Sequence, residues 1–204
     1  TSILNEISKK KGKNWIFVNG GVGNYNTERY VNNFFENWSE LPFTDIVVHF
    51  FVNDTEMSFN ARPNFFFEHT HIGVVIWKLI NSYKSSFKKE KLEDYYYERY
   101  LDDFEGFKIA KAELVRLKNF CIEKNVKCHL FIMPDIHKLN PYELGFINEK
   151  ISTISKELKY NYLDLLPVFE NQPQEIIWND YGDPHPSAFA HKLMADKIFN
   201  FLNK

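Results

Sequence analysis

The chain has 204 residues, 44% hydrophobic and 25% charged, with a net charge of −2. That suits one globular domain, long enough to bury a real core. With so little net charge and no long basic run, a nucleic-acid surface or an anionic-membrane binder has little support.

The first stretch, SILNEISKK (2–10), has a helical pattern and ends before Gly12. Lys9, Lys10, Lys11 and Lys13 form the densest basic cluster and read as its solvated end. NWIFVN (14–19) reads as a buried strand, and Thr27 to about Trp38 as a helix with apolar Tyr30, Val31, Phe34 and Phe35. DIVVHFFVN (45–53), KCHLFIMP (127–134) and YNYLDLLP (160–167) read as further strands. Each is apolar on both faces, as in a covered parallel sheet. Leu92 to Lys124 is a long helical pattern interrupted near Gly106. Pro141 to Leu158 is another helix, with Pro141 in its first turn, and Pro186 to Leu202 is the last. The alternation predicts an α/β doubly wound sheet. Residues 54–90 break it with an aromatic-rich stretch that reads as a lid or insertion, or as a helix over a sheet edge.

Cys121 and Cys128 fit neither a metal pattern nor a disulfide framework, so two buried thiols are expected, a bridge being the minority reading. No apolar run approaches the ~18 residues of a membrane span. No signal peptide is visible, and the chain opens on Thr1, so a piece of a longer protein is expected. Localisation is therefore open.

Three stretches stand at the carboxyl ends of predicted strands, where ligands bind in open α/β sheets. In VNGGVGNYNTERY (18–30), Gly20, Gly21 and Gly23 permit a tight turn whose N–H groups can face an oxyanion, and Thr27 can cap the next helix. In HFFVNDTE (49–56), the Asn53 amide can donate to an oxyanion and Asp54 can hold a turn. In GDPHPSAFAHKLMADKI, Asp183 stands two before His185. A carboxylate on one ring nitrogen fixes the tautomer and frees the other nitrogen as a base. Asp180 is a second candidate partner. His191 reads as a packing or hydrogen-bonding residue, and His69 and His71 lack a third metal ligand.

Taken in order, these stretches resemble the blocks of the SGNH (GDSL-like) hydrolase superfamily. VNGGVGNYNT resembles the glycine-containing turn, FVND the Asn-Asp block with Phe51 in the usual Gly place, and GDPHPSAFAHKLMADKI the Asp-His block before the last helix. The resemblance implies a flavodoxin-like three-layer α/β/α fold, sheet order 2-1-3-4-5, and acyl-ester chemistry with no metal or cofactor. It implies an oxyanion hole from Asn53 and a backbone N–H near Gly23 and Asn24, His185 as general base and Asp183 as its orienter. The family's Asp stands three before the His, where this chain has Gly182, which keeps Asp180 in play. The block-two glycine falls on Asn24.

The family's Gly-Asp-Ser block and the first strand that carries it are missing from this chain. The expected function is a serine esterase or O-acyltransferase acting on a small-molecule or glycan ester, with acetyl groups on a carbohydrate as the family-level substrate and the serine upstream of Thr1. A binding module on the same scaffold, without a nucleophile, is the alternative, and a flavin or nucleotide binder a more distant one.

Overall fold

The computed structural model describes residues 1–57, 91–180 and 183–204. Helix α1 (Ser2–Lys10) ends on a Schellman motif. Gly12 takes φ of 65°, its N–H donates to Lys9 O (3.1 Å), and Lys13 N–H donates to Ser8 O (2.9 Å). Glycine carries the left-handed conformation at no Cβ cost.

Residues 14–19, expected as a strand, are instead a strap without regular secondary structure, tied to α1. The Asn5 amide takes both backbone groups of Phe17, accepting from its N–H (2.8 Å) and donating to its carbonyl (2.9 Å). Ser8 Oγ lies 3.1 Å from the carbonyls of both Lys13 and Trp15. Backbone polar groups need partners, and here helix side chains supply them where a neighbouring strand does not. Ile16 is left 85% exposed and Val18 54% exposed.

The remaining elements follow as α2 (Thr27–Asn37), β1 (Asp45–Phe50), α3 (Leu92–Arg99), α4 (Glu105–Glu123), β2 (Lys127–Ile132), α5 (Gly145–Glu157), β3 (Asn161–Asp164), α6 (Leu166–Phe169), α7 (Gln174–Ile177), β4 (Trp178–Asp180), β5 (Asp183–Pro186) and α8 (Ala188–Leu202). Strands β1, β2 and β3 form a parallel sheet in that order, with Ile46 opposite Cys128 and His129 opposite Asn161. The α/β class expected from the sequence is therefore present. The lid or insertion expected over 54–90, and His69 and His71 with it, lies outside the described residues from 58 onward.

Strand β2 shows why the sheet must be covered on both faces. Cys128, Leu130 and Ile132 enter one core with Val31 of α2, Leu114 and Leu117 of α4, and Ile147 and Ile151 of α5. Phe131, alternating with them, enters a second core with Leu163, Leu165, Ala190 and Met194. Leu130, Phe131 and Ile132 have no exposed surface, and each contributes about 1.5–3 kcal/mol of transfer free energy. Strand β1 departs from the expectation of two apolar buried faces. Val48 and Phe50 are buried, while Val47 is 41% exposed, because β1 pairs on one edge only among the described residues.

The long helical pattern breaks as predicted, into α3 and α4 around residues 100–104. Helix α5 begins at Gly145 and not at Pro141, because Tyr142 and Leu144 turn into the core before the helix starts. Helix α8 begins at Ala188, capped by Ser187, whose Oγ accepts Ala190 N–H at 3.2 Å. Pro186 belongs instead to β5, which pairs antiparallel with β4. Cys121 at the end of α4 and Cys128 in β2 are both buried as expected. They are joined as a disulfide and not left as free thiols, since the short α4–β2 turn brings their Cα atoms to 6.1 Å.

Candidate functional site

The turn after β1 carries Asn53 and is clamped by three helices. From α2, Thr27 N–H donates to Asp54 O (3.2 Å) and the Asn26 amide donates to Glu56 O (2.6 Å). From α3, Tyr100 Oη donates to Val52 O (2.9 Å), while the Tyr95 and Tyr96 hydroxyls reach Glu56 Oε1 at 3.2 and 3.4 Å. From α4, Gly106 abuts the turn so closely that a Cβ there would lie 2.0 Å from Thr55 O. The turn also closes on itself, with Glu56 N–H donating to Asn53 O at 2.9 Å.

Asp54 lies in the turn as a buried carboxyl, bonded into it through its backbone, with Asp54 N–H donating to Phe51 O at 3.0 Å. It is 4% exposed, its Oδ2 has no hydrogen-bond partner, and burial pushes its pKa up to about 8. The Tyr30 hydroxyl beside it relieves part of that penalty. A cleft of about 230 Å³ adjoins the turn, lined by Asn26, Glu28, Asp54, Glu56, Met57 and Gly106 among others. Its carboxyl groups suit polar ligands better than an acyl chain.

The Gly23–Asn24 turn joins the Asn53 turn through the start of α2. Asn24 takes φ of 62°, so the left-handed conformation falls on the Asn, where the glycine of the family block was aligned. Gly20, Gly21 and Gly23 have no left-handed φ. The cap of α2 is Asn26, whose side chain accepts Arg29 N–H at 3.1 Å; Thr27, expected there, is the first helical residue and is buried. One asparagine thus caps the helix and ties it to residue 56.

Asp183 and His185 meet on β5. Asp183 Oδ1 lies 2.5 Å from the ring Nδ1 of His185 and accepts its backbone N–H at 3.1 Å. Asn179 donates to Oδ2 at 3.0 Å. The ring of His185, then its backbone N–H and the Asn179 amide, hold the Asp183 carboxyl below the usual carboxylate range. Between the two candidates the carboxylate is Asp183; Asp180 faces it across the ribbon as its register partner. With Nδ1 occupied, Nε2 of the 86% exposed ring is left as the proton acceptor. No hydrogen bond among the described residues ties His185 to Asn53, Gly23 or Asn24. His191 follows on α8 and is exposed, so it does not pack as one of the expected readings had it.

A second pair, missed in the sequence, stands at the end of β2. Asp135 Oδ1 accepts both the backbone N–H of His137 (2.8 Å) and its ring Nδ1 (2.7 Å). The pattern Asp-x-His beside a proline is the same in MPDIH as in GDPHP, and that repetition was the available signal. Among the described residues, no group of three or more His, Cys, Asp or Glu side chains could hold a metal ion, and no helix is long and apolar enough to cross a membrane. Comparison of the chain with protein-family models, with curated proteins and with solved structures finds no match.

Proposed function

We propose that this chain is the body of a serine esterase or O-acyltransferase of the SGNH type, acting on a small-molecule or glycan ester. The observation that carries the reading is the Asp183–His185 pair, in which one carboxylate oxygen fixes both the backbone and the ring of the histidine. His185 takes the proton of a serine hydroxyl as that oxygen attacks the ester carbonyl. The Asn53 amide and the N–H groups near Gly23 and Asn24 receive the developing oxyanion. Asp183 stabilises the imidazolium, and His185 then returns the proton to the leaving alcohol.

The nucleophile in this reading lies on a strand N-terminal to Thr1. One feature supports it. Strand β1 has a free edge among the described residues, flanked by exposed Val47, where a further parallel strand fits. In this reading the sheet order is 2-1-3-4-5.

The test uses the protein with its native upstream residues. Acetate release from p-nitrophenyl acetate and from an acetylated sugar is measured for the parent and for His185→Ala. The expected loss is about 10³-fold or more. Full turnover in the variant would sink the assignment. A native upstream sequence without serine would transfer the reading to a binding module on the same scaffold.

A further inference from the structure

We propose that Asp135 and His137 form a second acid–base dyad, one that accepts the proton of the hydroxyl group to which an acyl group is transferred. This rests on the acyl-ester reading of the Asp183–His185 site.

The loop after β2 is built more firmly than a solvated turn requires. Its three consecutive residues are each anchored by a different side chain from outside the loop's first turn. Asp135 N–H donates to Tyr142 Oη at 3.3 Å, Trp178 Nε1 of β4 donates to Ile136 O at 2.8 Å, and Gln174 Nε2 of α7 donates to His137 O at 2.5 Å. Ile136 is buried in the second core. The Asp135 side chain is 10% exposed, whereas the His137 ring is 58% exposed. A buried carboxylate therefore holds Nδ1, and the opposite ring nitrogen, Nε2, faces outward with its lone pair available.

A structural role accounts for the backbone bonds but not for the ring. An Asx-type turn needs only Asp135 and the N–H of residue 137, which any residue except proline provides. Fixing an imidazole by its buried side, with the other nitrogen in solvent, is the arrangement that general-base chemistry uses.

The place in the fold also fits. The loop follows β2, the middle strand, at its carboxyl end. The His137 ring packs against Trp178 with centroids 6.5 Å apart, and Trp178 is the register partner of Pro186, next to His185. One two-stranded ribbon thus carries one dyad and buttresses the other. In transfer, the acceptor O–H proton passes to His137 Nε2 as the acceptor oxygen bonds the acyl carbon. The bond from that carbon to the serine oxygen breaks, the serine oxygen takes up a proton from water, and His137 gives its proton back to water, which closes the proton count.

The experiment has two parts. Long-range ¹H–¹⁵N NMR of this chain reads the His137 tautomer in the parent and in Asp135→Asn. A fixed Nδ1–H tautomer lost in the variant is expected, and mixed tautomers in the parent would overturn the proposal. The protein with its upstream residues is then given p-nitrophenyl acetate with a methyl glycoside as acceptor. His137→Gln should lower the ratio of transfer to hydrolysis by about a hundredfold. An unchanged ratio overturns the second dyad and leaves the ester reading standing. A parent with no acyl release overturns both.

Discussion

The buried carboxyl of Asp54 makes the sharpest prediction about stability. It is 4% exposed, and its pKa stands at about 8 against an ordinary 3.8, through desolvation. The groups facing it are Tyr30 from α2, Tyr100 from α3 and the carboxylates of Glu28 and Glu56 around the cleft, none of them cationic. Tyr30 and Tyr100 are themselves pushed well above the usual phenol value by burial, so both stay neutral below pH 9. Below pH 4 the carboxyl is protonated folded and unfolded, and its contribution to stability is fully present. As pH rises towards 8 the unfolded chain releases the proton while the folded one keeps it, so stability falls by up to about 1.4 kcal/mol per pH unit. At pH 7 the accumulated loss is about 4 kcal/mol, a large part of the 5–15 kcal/mol that holds a typical domain. Asp54→Asn removes that slope. It also places an amide N–H₂ where Oδ2 has no partner, at a pH-independent cost of about 1–3 kcal/mol. The variant should therefore be less stable than the parent at pH 4.5 and more stable at pH 8. Urea unfolding followed by Trp fluorescence in steps of half a pH unit measures the difference, in which Glu28 and Glu56 cancel. A difference that stays constant within about 0.5 kcal/mol across the range refutes the account.

Two further outcomes follow from close contacts. Gly106→Ala should lower stability by about 2 kcal/mol or more despite the better helix propensity of Ala, because its Cβ meets Thr55 O at 2.0 Å; an unchanged urea midpoint would remove the clamp on the Asn53 turn. The Cys121–Cys128 pair should leave no thiol titratable by Ellman's reagent in denatured, unreduced protein, and reduction should cost up to about 2–3 kcal/mol for so short a loop. Two reactive thiols per chain would restore the free-thiol reading.

What the sequence made legible was set by patterns whose physics is local. The unbroken apolar run of β2, the helical spacing of α1 and α4, and the break near Gly106 are all visible in the sequence. Pairings across the chain were not. Asn26 outcompeted Thr27 as the cap of α2 because its amide also reaches Glu56 O, thirty residues on, a partner that no local rule supplies. Pro186 looked like a helix start because proline favours a first turn, yet the Ser187 hydroxyl makes the cap and leaves Pro186 to the ribbon. The Asp183–His185 pair was legible because two residues of separation suffice to form it. Its twin at Asp135–His137 has the same spacing, but its burial comes from Tyr142, Trp178 and Gln174, which only the fold brings together.

The strap at residues 14–19 sharpens this point, since its sequence is more strand-like than much of the sheet. Trp15, Ile16, Phe17 and Val18 all favour extended backbone, yet the segment joins no sheet among the described residues. What it lacks, among the described residues, is a neighbouring strand. Intrinsic β-preference measures how well a side chain fits a pleated surface that already exists, and it cannot create one. Asn5 and Ser8 satisfy some of the backbone groups that a ladder would take, while Ile16 and Val18 stay in water. On the other side, Val47 of β1 is exposed beside an edge with no described partner. Strap and edge thus share one deficiency among the described residues: neither has a strand on its open side.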